Sequence, residues 1–205
     1  RYLAGNGERW TIEHVAVLDD GCGMESDALR AALQFGNGSR LEDRSGIGRF
    51  GMGLPSASIS QCRRVNVWSW TNGHKNALYS YIDLDEVAAG TLSEVPEPKA
   101  DSVPEYWLDV AGTLGTSGTL VVWSELDKFV WKKAKTLITR SELLIGRMYR
   151  EYLAHGRARI RLVAFQDPKS PRIDRFAVAN DPGYLMAPTS TPVPFDNNPM
   201  FEKDG

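Results

Sequence analysis

No apolar run in this chain approaches the ~18 residues that a bilayer crossing needs, and its first residues lack the basic-then-apolar order of an export signal. A membrane or secreted assignment therefore has no support. Only two cysteines occur, Cys22 and Cys62; neither sits in a C-x-x-C pair or near a histidine at metal spacing. No metal site is expected from them, and a reduced, cytoplasmic setting fits best. The three histidines, His14, His74 and His155, share no motif, so imidazole catalysis is not expected. A strong charge of one sign is missing too. The formal net charge of −2 exerts no global pull on nucleic acid, although it leaves room for a local basic patch. There is no internal repeat. With 42% hydrophobic residues over 205 positions, the chain should be globular and soluble, one large domain or two small ones.

What the sequence does have is glycine in two clusters. Ile12, Val15, Ala16, Val17 and Leu18 form an apolar run, read as a buried strand over Thr11 to Leu18, that leads straight into Asp19. Gly21 and Gly23 follow, allowing a sharp turn and close backbone approach to a flat ligand. The second cluster, Gly46, Gly48, Gly51 and Gly53, precedes a helical pattern over Leu54 to Cys62. Glycine amides leading into a helix suit phosphate oxygens. Between the clusters, Ser26 is an N-cap candidate for a helix whose apolar residues recur up to Phe35, and Gly36 ends it. Asn37 to Ser45 is polar and charged, as in a loop that closes over a ligand.

Further along, Arg63 to Leu84 alternates around Asn72-Gly73 and predicts a β-hairpin. Asp83 to Ala89 predicts one or two helical turns, and Gly90 to Pro104 an irregular excursion. Tyr106 to Val110 and Thr119 to Trp123 read as strands. Lys132 to His155 reads as one long amphipathic helix stopped by Gly156, and Ala158 to Phe165 as a strand opening a second module. The tail from Gln166 holds seven of the eleven prolines and should be extended.

The box Asp19-Asp20-Gly21-Cys22-Gly23-Met24 resembles the D-x-G-x-G motif, and Gly48-Arg49-Phe50-Gly51-Met52-Gly53 the G-x-x-G-x-G motif, of the GHKL ATPases: gyrase, heat-shock chaperone, histidine kinase and mismatch repair proteins. Phe35 to Arg40 and Gly118 to Trp123 are similar to the remaining nucleotide-side motifs. The wording is most similar to Microrchidia-type and related bacterial chaperone-like ATPase domains, over roughly residues 11 to 165. The resemblance implies an α+β Bergerat fold, a two-layer sandwich with a mixed sheet. It implies an ATP-binding domain at 1–131, a connecting helix and strand at 132–165 opening a transducer-like module, and a Pro-rich tail at 166–205. ATP with Mg2+ is the implied cofactor pair. The implied nucleotide residues are Asp19, Gly21, Gly23, Met24, Gly48, Gly51, Gly53 and Thr119.

Asp19 is read as a buried carboxylate facing adenine, accepting a hydrogen bond from its exocyclic amine, a donor that guanine lacks at that position. Thr119 resembles the threonine that holds adenine directly or through water. Met24 stands open between the adenine face and the core. Arg40, Arg44 and Arg49 are read as solvated loop charges. Gly46, Gly48 and Gly51 also satisfy the dinucleotide fingerprint, but no buried strand precedes them and no acid follows at the required distance. The family's first helix, which carries a general-base Glu and a magnesium-binding Asn, has no counterpart in RYLAGNGERW. A fragment is therefore expected, with no catalytic residue and no metal ligand of its own, binding ATP or ADP without hydrolysing it. The parent is expected to be a dimerising ATPase associated with DNA; the alternative is a chaperone-like or nucleotide-gated interaction module without turnover.

Overall fold

The computed structural model describes residues 11–36 and 51–180 together with the backbone of two short strands, β1 (Tyr2–Leu3) and β2 (Glu8–Arg9), which pair antiparallel. The loop over Asn37 to Ser45, Gly46, Gly48, and the tail beyond Asn180 lie outside the described residues. The chain divides into two units: Ile12–Val130, and Arg1–Thr11 with Trp131–Gly205.

In the first unit β3 (Val15–Asp19) runs into the D-x-G-x-G turn, starting later than the apolar run suggested. Next comes α1 (Ser26–Leu33). Ser26 is its first helical residue rather than its cap; Glu25 holds the cap position and makes no side-chain cap bond. Leu29 and Leu33, four apart and so on one face, are both 0% exposed, each stabilising by about 1.5–3 kcal/mol. α2 (Gly53–Ile59) is followed by the hairpin β4 (Arg64–Trp70) and β5 (Leu78–Asp83), joined through a short 3-10 turn at His74–Asn76. α3 (Leu84–Ala88) is capped by Asp83, whose Oδ1 accepts from the backbone amides of Asp85 (2.9 Å) and Glu86 (3.1 Å).

The excursion after Gly90 is tethered rather than loose. Arg30 of α1 donates to the Val95 carbonyl at 3.0 Å and pairs with Glu94 and Glu97; β6 (Lys99–Ala100) then adds to β5. Tyr106 to Val110 is not a strand. These residues form α4 (Glu105–Ala111), which starts after Pro104 with an acid in its first turn and stops at Gly112 (φ +76°). The aromatic, β-branched composition suggested a strand, but a helix lays Trp107 and Leu108 on the sheet, and packing overrides propensity. β7 (Gly118–Ser124) completes a sheet of order β3-β7-β4-β5-β6.

Every described ladder is antiparallel, so the mixed sheet expected from the sequence is replaced by an antiparallel one within the expected α+β class. Strand alternation sorts the side chains onto two faces. Val65, Val67, Val121, Trp123 and Ile82 meet α1 and α2, while Trp68, Trp70, Leu120, Val122 and Tyr79 build a core on the other side. Trp123 donates to Ser58 Oγ at 2.9 Å, tying α2 to the sheet.

In the second unit the expected long helix is two: α5 (Ala134–Met148) and α6 (Arg150–Ala154). Tyr149 leaves helical geometry (φ −104°, ψ +17°), and Arg150 donates to the Arg147 carbonyl at 3.2 Å, satisfying an acceptor that the break exposes. β8 (Arg161–Ala164) pairs with β9 (Ile173–Phe176), with Ile138, Leu162 and Ala177 at the centre of a small core.

Candidate functional site

Asp19 ends β3 opposite Thr119, and Thr119 is opposite Ser69 of β4, so three polar side chains line up across the helical face at one end of the sheet. Asp19 is exposed rather than buried, because β3 is an edge strand, and its Oδ1 accepts the Gly21 amide at 2.9 Å, closing a tight turn behind the carboxylate. Among the described residues its second oxygen has no partner. Ser69 is fully buried and organises the rest. Its hydroxyl accepts the Met24 amide at 2.8 Å, lies 3.0 Å from Thr119 Oγ1 and 3.2 Å from the Gly118 carbonyl.

A hydroxyl has one proton to give. If Ser69 donates to Gly118, Thr119 must donate to Ser69 and presents only lone pairs outward. If Ser69 donates to Thr119, the Thr119 proton is released for a ligand acceptor. The pair thus serves an edge that carries both a donor and an acceptor, beside a carboxylate that takes a donor. Val17, two residues before Asp19 on the same face, is 58% exposed and provides apolar surface for a flat ring.

Two glycines are required by contacts. Gly23 has φ +71°, and a Cβ there would fall 2.0 Å from the Trp70 carbonyl oxygen. At Gly118 a Cβ would lie 2.4 Å from the Asp19 carbonyl oxygen and 2.7 Å from the Trp70 ring. These contacts draw β3, β4 and β7 together at the end of the sheet where Asp19 sits.

Of the residues read from the sequence, Asp19, Gly21, Gly23, Met24 and Thr119 come together here. Met24 is half-buried, with its amide on Ser69 and its side chain against the helical-face core. Gly51 (φ +61°) and Gly53 stand at the start of α2, on the same face but another element; Gly48, Arg40, Arg44 and Arg49 lie outside the described residues. Ser69 and Gly118 were missed as site residues. The signal available for Ser69 was parity, a serine at the inward position that Val65 and Val67 occupy earlier in the strand. Gly118 opens the Gly118 to Trp123 motif, but its place opposite a tryptophan in register is one that no local pattern reveals.

Cys62, against α2, is inert: burial pushes its thiol up to about 11. Among the described residues no three His, Cys, Asp or Glu side chains are placed to hold a metal, so no Mg2+ site is assigned among them. The donor set at Asp19, Thr119 and Ser69 does fit an aminopurine edge.

Structural comparison finds the 43K ATPase domain of Thermus thermophilus gyrase B, solved with an aminocoumarin, at 17% identity and TM-score 0.42, over 81% of this chain and 37% of that one. The ATP-binding domain of Francisella tularensis topoisomerase IV, solved with a small-molecule inhibitor, is 14% identical with TM-score 0.36, over 65% and 33%. The chain thus spans about a third of the length of those two structures. No curated protein sequence matches. The family model for histidine kinase-, DNA gyrase B- and HSP90-like ATPases matches residues 6–113, which take in both glycine clusters and stop short of Thr119. With 108 of its 205 residues matched, the chain belongs to this GHKL ATPase family.

Proposed function

We propose that this chain binds an adenine nucleotide at the Asp19 end of the sheet, and that the bound state drives conformational change or dimerisation of a larger protein. The observation carrying the reading is the row Asp19, Thr119, Ser69: an exposed carboxylate beside a hydroxyl pair that a buried serine holds in place. Asp19 takes the exocyclic amine, and Thr119 serves the neighbouring ring nitrogen, directly or through water. Guanine presents a carbonyl to Asp19 and is rejected by an unpaired acceptor. Gly21, Gly23 and Met24 shape the turn under the base. Gly48, Gly51 and Gly53 offer amides to phosphates, with Mg2+ on the phosphates and water.

Calorimetry with ADP and GDP tests this. ADP should bind and GDP should not. Asp19→Asn should weaken ADP binding by about 2 to 3 kcal/mol, roughly 30- to 150-fold, with the fold intact by circular dichroism. Normal ADP affinity in that variant would place adenine elsewhere.

Turnover requires a base within hydrogen-bond reach of the attacking water, and no carboxylate among the described residues is assigned that role. Phosphate release separates an ATPase from the alternative, a chaperone-like or interaction module that only senses nucleotide.

Association with DNA draws support from charge. Residues 12–130 carry nine Lys and Arg against 17 Asp and Glu, while residues 131–180 carry twelve against four. The near-neutral total hides a basic second unit. Arg140 and Arg147, seven apart on α5 and both exposed, share one helix face. Binding to duplex DNA should fall steeply with salt, and Arg140→Gln and Arg147→Gln should each reduce the logarithmic salt slope by about 1. Salt-independent binding, or no binding at low salt, would count against a DNA client.

A further inference from the structure

The face of the sheet turned away from α1 and α2 carries a concavity of about 610 Å³. Strand parity places its lining on one surface: His14 ahead of β3, Val122 and Ser124 of β7, Asn66 and Trp68 of β4, and Tyr79 of β5, with α4 along one side. Its walls are aromatic. Trp68 and Tyr79 lie 4.9 Å apart on the sheet, and Tyr106 meets Trp107 edge-on at 5.1 Å on α4. Two exposed carboxylates, Glu13 and Asp101, stand among them, and among the described residues no Lys or Arg lines the groove.

We propose that this groove binds a cationic side chain, the guanidinium or ammonium of an Arg- or Lys-bearing peptide segment from a partner protein. Ring faces are negative and attract cations, and two carboxylates add charge complementarity. The aromatic row accepts such groups within the molecule already. The Arg64 guanidinium lies 4.8 Å from the centre of the Tyr81 ring beside the groove, and the Lys99 ammonium 5.7 Å from that of Tyr79, a groove residue stacked on Tyr81. Tyr106, 45% exposed, adds a further ring to the same cavity. The unit's charge acts in the same direction, with 17 acids against nine bases over residues 12–130.

The other occupants fit less well. A nucleic acid would bring phosphates against Glu13 and Asp101, with no Lys or Arg in the described lining to meet them. A purely apolar peptide would strip water from two carboxylates without bringing a cation to them, which is costly. This site lies on the face opposite Asp19 and Thr119 and does not depend on nucleotide binding there.

The experiment uses the chain Arg1–Gly205 labelled with 5-fluorotryptophan, whose six tryptophans are assigned by single Trp→Phe replacements. It is titrated with an acetylated Gly-Arg-Gly-Arg-Gly peptide and with the same peptide carrying citrulline, an uncharged isostere of arginine. The arginine peptide should shift the Trp68 and Trp107 fluorine signals and bind about tenfold more tightly than the citrulline peptide. Glu13→Gln with Asp101→Asn should abolish that preference while leaving the unliganded spectrum folded; Asn keeps an acceptor for Trp68 Nε1, which donates to Asp101 at 3.4 Å. Equal affinity for the two peptides overturns the proposal. So does an arginine peptide that leaves Trp68 and Trp107 unmoved, or a preference that survives the double substitution.

Discussion

Gly23 and Gly118 are the residues at which the site admits least change. Each lies against backbone rather than against a flexible side chain, so an added methyl has nothing to push aside. Gly23→Ala incurs both the left-handed backbone penalty and the clash with the Trp70 carbonyl; Gly118→Ala incurs only the clash, with the Asp19 carbonyl and the Trp70 ring. Both should destabilise the first unit by roughly 1 to 3 kcal/mol, Gly23→Ala the more. Urea denaturation followed by circular dichroism measures this. An Ala variant at either position as stable as the parent would contradict the close approach of β3, β4 and β7. Legibility differed between the two. Both belong to motifs, but Gly118 matters through a ring 48 positions earlier that only strand pairing brings opposite it.

Among the elements, α3 shows how one carboxylate joins two layers of order. Asp83 is 5% exposed, caps α3 with Oδ1 and holds Arg64 with Oδ2 at 2.8 Å. Asp83→Ala removes a helix cap, worth about 1 kcal/mol, and leaves the half-buried Arg64 with the Asn66 amide oxygen and the more distant Glu86 in place of a buried carboxylate. Thermal unfolding should show a loss of about 2 kcal/mol, with Asp83→Asn recovering part of it because an amide oxygen still caps. If Asn proved no better than Ala, the cap would not be the source of the loss. The elements were readable where a period was sustained, as in α1, β4, β5 and β7. They were misread where composition and packing disagreed: the aromatic run at Glu105–Ala111 became a helix because the sheet needed Trp107 and Leu108 on one side, and the pattern after Lys132 did not disclose the break at Tyr149.

At the scale of the whole molecule, each unit carries an exposed carboxylate held below its ordinary value by a hydrogen-bonded arginine: Asp85 beside Arg63 in the first, Asp174 beside Arg161 in the second. A depressed folded value means that the stabilisation is fully present above the ordinary value of 3.8 and is lost as pH falls through the lower folded one. Urea midpoints should be flat from neutrality to about pH 4 as regards these two groups and then decline. The double variant Asp85→Asn, Asp174→Asn should decline less over that window. Superimposable curves for variant and parent would remove both pairs from the acid response.

The amino-acid order by itself determined the family, the strand that ends in Asp19 and the turn built on Gly21 and Gly23, because these rest on residue type at short spacing. It also held the charge division between residues 12–130 and 131–180, which a single net value conceals. The tertiary structure decided that Ser69 and Thr119, fifty positions apart, share one hydrogen-bonded hydroxyl pair beside Asp19, and that the Trp68 face forms a groove. Strand register sets both, and register follows from which side chains are buried together over long sequence distances, not from any local pattern.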